Sequence, residues 1–194
     1  MIDQDHKNKF EKVWDKGNYR LGSTAQRMVA IILVNIPEGV TINDYGCGTG
    51  RAEVEIFQQR PAQKINMIDI AENALETEAR KLLTNLGSPL SFILADLTDL
   101  SAVPHSEWGI CINVLMTVQP DKLDMILSEI RRTCDNLIME VYNLSDVRCE
   151  IEMTTIKQDF LWWDDKLREH WPNVEFIQSK EHRQRFIYVC RSEL

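Results

Sequence analysis

The feature that most restricts the fold is a run of alternating glycines behind an acidic residue, Asp44-Tyr45-Gly46-Cys47-Gly48-Thr49-Gly50. A short apolar stretch, Val40 to Tyr45, leads into it and reads as a buried strand. Arg51 to Arg60 leaves it with helical spacing, Val54 and Phe57 being one turn apart and facing inward. The glycines therefore form a strand-to-helix turn. Glycine permits positive φ and close approach of a ligand to the backbone, and the helix start beyond it offers free N–H groups and the positive end of a dipole. In open α/β sheets, ligands bind at such turns, at the carboxyl ends of strands. The spacing is G-x-G-x-G, with Arg51 where a dinucleotide fingerprint would carry its third glycine. No G-x-x-x-x-G-K-[ST] run occurs, which excludes a P-loop. A carboxylate at Asp44 would repel a pyrophosphate but attract an ammonium or sulfonium group.

The rest of the chain supplies a sheet for this turn. Further strands are predicted at 64–69, 91–95, 108–116, 136–142, 174–178 and 186–190, and helices at 71–86, 121–133 and 156–170. Ser23 and Gln26 have capping-box spacing, and the helix they open, with Met28, Val29 and Ile31 to Val34, is apolar nearly all round and predicted to be buried. Leu75, Ala79, Leu82, Leu83 and Leu86 form the inner face of the 71–86 helix. The alternation predicts an α/β fold with a doubly wound, mostly parallel, seven-stranded sheet and helices on both faces. The last two strands have no helix between them, which calls for an antiparallel strand near the C-terminus.

With 194 residues and no flexible linker, the chain reads as an N-terminal arm, 1–22, and one domain, 23–194. The balance of 22 basic against 30 acidic residues, net −8, disfavours a life of phosphate contacts with nucleic acid. Five widely spaced cysteines without a C-x-x-C pair argue against a disulfide framework or a metal site and suit a reducing, cytoplasmic setting. The polar N-terminus lacks a secretory apolar region, and the longest apolar run, Met28 to Ile36, is too short to span a bilayer.

Asp44, Gly46, Gly48 and Gly50 match, position by position, motif I of class I S-adenosylmethionine-dependent methyltransferases, a Rossmann-like family. The chain resembles that family over about residues 40 to 142. The resemblance implies a cofactor loop of Asp44, Gly46, Cys47, Gly48 and Gly50 beneath the methionine and ribose. It implies that Asp69 accepts from the two ribose hydroxyls, with Ile70 packed on the adenine. It further implies that Asp96, with Leu97 beside it, accepts from the adenine amine, and that Asn113 ends the fourth strand at the site. On the residues alone, Asp69 and Asp96 can also be caps of the turns that follow them, a reading ranked behind the cofactor roles. The arm from Trp14 to Ser23, with Tyr19 and Arg20, looks like the lead-in of a small phage and bacterial group. Tyr19 and Arg20 then belong to the cofactor site, Arg20 pairing with the methionine carboxylate, and the arm is a lid. The alternatives are a surface charge and a loose tail.

In that group the fourth strand often ends Asp-Val-Leu-Glu-His, whereas this chain has Asn113-Val114-Leu115-Met116-Thr117. The titratable groups are gone from that stretch, so no catalytic residue is assigned. Methyl transfer needs alignment more than a protein nucleophile. The Asn/Asp-Pro-Pro-aromatic run of nucleobase amine enzymes and the Pro-Cys pair of cytosine-C5 enzymes are absent. The expected function is methyl transfer to a small molecule, ahead of a protein or RNA. The alternatives are a cofactor-binding module without catalysis and other chemistry on the same cofactor, aminopropyl transfer or cofactor cleavage.

Overall fold

A computed structural model describes residues 2–16, 25–142, 153–177 and 185–193. Seven strands form one sheet: β1 (Ile42–Tyr45), β2 (Ile65–Asp69), β3 (Leu90–Leu94), β4 (Ser106–Ile112), β5 (Cys134–Tyr142), β6 (Asn173–Ile177) and β7 (Arg185–Arg191). Their order is β3-β2-β1-β4-β5-β7-β6. The first five are parallel, and β7 runs antiparallel to both β5 and β6. From β1 the chain steps outward through β2 and β3, then returns to β4 on the other side of β1. The order reverses between β1 and β4, and crevices for ligands open at such points.

Among the described residues, six α-helices flank the sheet: α1 (Gln4–Asp15), α2 (Val29–Asn35), α3 (Arg51–Gln59), α4 (Thr77–Thr84), α5 (Leu123–Thr133) and α6 (Phe160–Arg168). Side chains alternate across each strand. Ile42, Ile110, Ile138 and Ile187 meet Val29, Ile32 and Ile56 of α2 and α3 on one face. Tyr45, Leu137, Met139 and Tyr188 meet Ile126, Leu127 and Trp163 of α5 and α6 on the other. No helix among the described residues is long and apolar enough to cross a membrane.

Several local expectations are corrected. Helix α2 is not buried all round: Val29 and Ile32 face the core, whereas Val34 is 85% exposed. Helix α3 buries Ala52, Glu53 and Ile56, while Val54 and Phe57 are only half-buried. The helix expected over 71–86 is broken. A 3-10 turn, Glu72–Ala74, ends as Leu75 turns extended and the Glu76 N–H bonds to Thr49 O, and α4 stops at Thr84, leaving Leu86 exposed. Strand β4 ends at Ile112, and Met116 lies in a separate 3-10 turn. Helix α6 starts late, at Phe160, because Asp159 caps it by accepting from the Trp162 N–H.

The sequence pattern assigns no helix to the first residues, yet one forms there. Asp3 begins it by accepting from the backbone N–H groups of Asp5 and His6, and α1 follows for three turns with no residue fully buried. The capping pair expected at Ser23 lies partly outside the described residues.

Candidate functional site

A cavity lies over the carboxyl ends of β1, β2 and β4, where the sheet order reverses. Its floor is the glycine turn. The N–H groups of Gly46 and Cys47 both bond to Ile68 O of β2, at 2.7 and 3.1 Å, which bends the chain sharply out of β1. Gly46, Gly48 and Gly50 all adopt positive φ. A Cβ on Gly46 would stand 2.3 Å from Val114 Cγ2, so the loop after β4 approaches closer than any side chain allows. Gly50 serves packing behind the cavity: a Cβ there would meet Ala79 at 2.6 Å and Met67 at 2.8 Å.

Eight of the predicted site residues, Gly46, Cys47, Gly48, Asp69, Ile70, Asp96, Leu97 and Asn113, line this cavity. Asp44 and Gly50 are buried outside its lining. Tyr19 and Arg20 lie outside the described residues.

Asp69 ends β2 with its carboxylate at the cavity wall. Oδ2 accepts the Gly48 N–H and Oδ1 accepts the Ala71 N–H, both at 2.9 Å. The turn-capping role is thus met by the same carboxylate that faces the cavity. Each oxygen keeps a lone pair for a further donor. Burial pushes the Asp69 carboxyl above its ordinary value, and the N–H groups of Ala71, Gly48 and Ile70 hold it back. Burial, with the Asp69 charge added, also pushes the Cys47 thiol well up, which disfavours its thiolate form.

Asp96 Oδ1 accepts both the N–H and the hydroxyl of Thr98, at 3.0 and 2.9 Å. Its other oxygen faces His6 Nδ1 at 3.7 Å. Burial raises the Asp96 carboxyl, but the His6 ring and Thr98 outweigh it and hold the group well below the usual carboxylate range.

Helix α1 roofs the cavity. His6, Phe10 and Trp14, spaced one turn apart, all line it, and His6 meets Phe10 edge to face at 5.0 Å. Trp14 lies 3.3 Å from where a Gly48 Cβ would be. Asn73, just beyond Ile70, donates to Glu11 O and Asp15 Oδ1 at 3.0 and 2.9 Å, and Lys122 Nζ stands 3.9 Å from Asp3. Sequence reasoning missed His6 and Phe10, although their four-residue spacing behind Asp3 was a helical signal.

The far wall comes from the ends of β4 and β5. Asn113 has φ 60, a left-handed conformation that asparagine tolerates better than other non-glycine residues. Glu140 of β5 holds it there: Asn113 N donates to Glu140 O at 2.8 Å and Asn113 Nδ2 to Glu140 Oε2 at 2.9 Å. Glu140 is 0% exposed and also receives Arg27 Nη2, 2.5 Å from each oxygen, and Arg185 Nη1 at 3.3 Å. Arg185 bonds Asn113 Oδ1 at 3.3 Å and lies 4.4 Å above the Tyr142 ring, which faces the cavity. None of Arg27, Glu140 or Arg185 stands out in the sequence, because they converge only through strand pairing.

Two further acidic features stand outside the cavity lining. Glu53, in the first turn of α3, is fully buried, and neither oxygen is hydrogen-bonded to another of the described residues. Asp124, Glu169 and His170 gather on the surface at ligand-like spacing, but Lys166 Nζ already sits 3.0 Å from Asp124 and 2.9 Å from Glu169.

Residues 42–136 match the family model described as a methyltransferase domain. Among curated proteins, the chain is 30% identical over 88 residues to the release factor glutamine methyltransferase of Neisseria gonorrhoeae. That alignment covers 45% of this chain and only 32% of the relative, about a third of its length. Among solved structures, it resembles Burkholderia thailandensis 1,6-didemethyltoxoflavin-N1-methyltransferase, bound to 1,6-didemethyltoxoflavin and S-adenosylhomocysteine. The TM-score is 0.74 at 15% identity, over 94% of this chain and 84% of that one. It also resembles magnesium protoporphyrin IX methyltransferase of Synechocystis, bound to S-adenosylhomocysteine, with a TM-score of 0.61 at 17% identity, over 87% and 81% of the two chains. At these identities the structural likeness speaks for the fold, and the match over 42–136 speaks for the family. The methyltransferase-domain match, over just under half of the chain, and the fold shared with solved methyltransferases support a class I S-adenosylmethionine-dependent methyltransferase.

Proposed function

We propose that the chain binds S-adenosylmethionine in the cavity under α1 and transfers its methyl group to a small-molecule acceptor. The observation that carries this is the Asp69 carboxylate, fixed by two backbone N–H groups between the glycine turn and Ile70, with a lone pair left on each oxygen. Two vicinal ribose hydroxyls need two such acceptors. Ile70 and Leu97 offer the apolar faces an adenine needs, and Asp96 a carboxylate at the ring edge. The glycine turn leaves a cradle beneath, and Trp14, Phe10 and His6 cover it.

When bound, the cofactor supplies a methyl group on a sulfonium. The residues of the chain hold and align it, and α1 acts as a lid that excludes water, which strengthens polar contacts inside. Asp44 lies buried behind the loop, outside the cavity lining. A small-molecule acceptor is favoured by the net charge of −8 and by the solved relative that holds 1,6-didemethyltoxoflavin. The buried thiols Cys47, Cys111, Cys134 and Cys190 suit a reducing setting such as the cytoplasm.

Calorimetry with S-adenosylhomocysteine tests this function. Asp69→Ala is expected to lose more than tenfold in affinity, since a hydrogen bond to a charged acceptor is worth ~1.5–3 kcal/mol. A 2′,3′-dideoxy analogue should bind this variant and the wild type alike. An equal loss in both proteins on removing the hydroxyls would show that Asp69 is only a turn cap. Product analysis then separates the chemistries: S-adenosylhomocysteine marks methyl transfer, methylthioadenosine marks aminopropyl transfer or cleavage, and unchanged cofactor marks a binding module.

A further inference from the structure

At the end of the cavity away from Asp69 and Asp96, the wall is backed by a buried charge cluster of Arg27, Glu140 and Arg185 joined to Asn113. Arg27 lies two residues beyond Ala25, which lines the cavity, and Glu140 links it to Asn113, which also does. Its guanidinium meets Glu140 end-on: one nitrogen, Nη2, takes both carboxylate oxygens. That geometry leaves the fork unspent. Arg27 Nε is buried with no hydrogen-bond partner among the described residues, while the side chain as a whole remains 21% exposed. A buried, charged donor left without an acceptor is costly, and guanidinium forks match planar oxyanions. The position, beside the ends of β4 and β5, is on the far side of the cavity from the residues placed around ribose and adenine.

We propose that Arg27, oriented by Glu140, anchors the methyl acceptor, and that this acceptor is a small molecule bearing an oxyanion, a carboxylate or a phosphate. The inference rests on the methyltransferase function for the word acceptor, and on the Arg27–Glu140–Asn113 geometry for everything else. Glu140 is a positioning residue: it fixes the guanidinium and, through the same carboxylate, the left-handed Asn113 at the wall. The ring of Tyr142 and the apolar side chains of Ile112 and Val114 on this wall suit an aromatic or hydrophobic body behind the anionic group.

Benzoate, phenyl phosphate and the neutral isostere benzamide are suitable probes, titrated by calorimetry into the wild-type chain with and without saturating S-adenosylhomocysteine. At least one of the two anions should bind, at least ~tenfold more tightly than benzamide. The preference between benzoate and phenyl phosphate tells carboxylate from phosphate. Arg27→Gln should lose that ~tenfold discrimination while keeping its affinity for S-adenosylhomocysteine, which also reports that it is folded. Glu140→Gln, which loosens the guanidinium, should bind the anion less tightly than the wild type, and unchanged anion binding in this variant would show that Glu140 does not orient Arg27. Arg27→Lys, keeping the charge without the fork, should fall between wild type and Arg27→Gln, and it decides the matter if Glu140→Gln does not fold. Equal binding of benzamide and the anions, no binding of any probe, or undiminished discrimination in Arg27→Gln overturns the proposal. So does a tenfold loss of S-adenosylhomocysteine affinity in Arg27→Gln with no anion bound to the loaded wild type, since Arg27 then serves the cofactor's own carboxylate. Failure of the wild type to bind S-adenosylhomocysteine strikes the methyltransferase function instead, and the probe titration without it still judges the anion site.

Discussion

His6 Nδ1, on the N-terminal helix, stands 3.7 Å from Asp96 Oδ2, in the loop that follows β3. The contact ties the roof of the cavity to the carboxylate that the family resemblance assigns to the adenine amine. Helix α1 buries no residue fully, so polar ties such as this one and the Asn73 bonds to Glu11 and Asp15 hold much of it in place.

His6→Ala should therefore loosen α1 without much harm to the core. Amide exchange over residues 4–15 is expected to quicken while the melting temperature moves little, because cores and docked surface helices open with separate free energies. In the wild type, adding S-adenosylhomocysteine should slow exchange over the same residues. Exchange that is unchanged by the ligand would show that α1 is not a lid.

Gly48 joins the floor to the roof. Its φ of 54 lies in the left-handed region, which costs an L-residue ~1–2 kcal/mol, and a Cβ would come within 3.3 Å of Trp14. Gly48→Ala should weaken S-adenosylhomocysteine binding and speed exchange in α1. Adding Trp14→Ala should restore the room but not the backbone preference, so calorimetry should show partial recovery at most.

Glu53 predicts a pH dependence. Burial pushes its carboxyl from 4.5 up to about 7, the Asp69 charge adds to the rise, and its own backbone N–H pulls the other way. Below pH 4.5 the group is protonated in both folded and unfolded chains and contributes nothing. Between 4.5 and about 7 the unfolded chain ionises first, so the folded state loses stability, and above about 7 the loss is complete. A rise of that size corresponds to a penalty of about 3 kcal/mol at most. Glu53→Gln should match the wild type in thermal melts at pH 4 and exceed it at pH 8. Equal stability at pH 8 would mean that the carboxyl ionises at its ordinary value.

Much of the cavity lining is legible in the amino-acid sequence. The turn at 46–50, Asp69 with Ile70, and Asp96 with Leu97 sit at the ends of strands marked by short apolar runs, and eight of the residues picked out in this way surround one cavity. The doubly wound sheet and its antiparallel end follow from the order of those runs and the missing helix before the last strand. Periodicity misleads where neighbours decide exposure. Val34 belongs to an apolar run yet faces out, and the helix expected over 71–86 breaks where Glu76 bonds to the glycine turn.

What the sequence by itself determined is local: the alternation of strand and helix, and the glycine turn, whose positive φ values are open to few other residues. What only the tertiary structure decided is which distant side chains share a space. Arg27 and Glu140 are 113 residues apart and meet because β5 lies two strands from β1, beside the turn that precedes α2. His6 reaches Asp96 because α1 folds back over the carboxyl ends of the strands. Strand pairing and helix docking are set by the summed burial of many residues, whereas a sequence window carries only the pattern within one element. The roof over the cavity and the charge cluster behind its far wall are products of that summation.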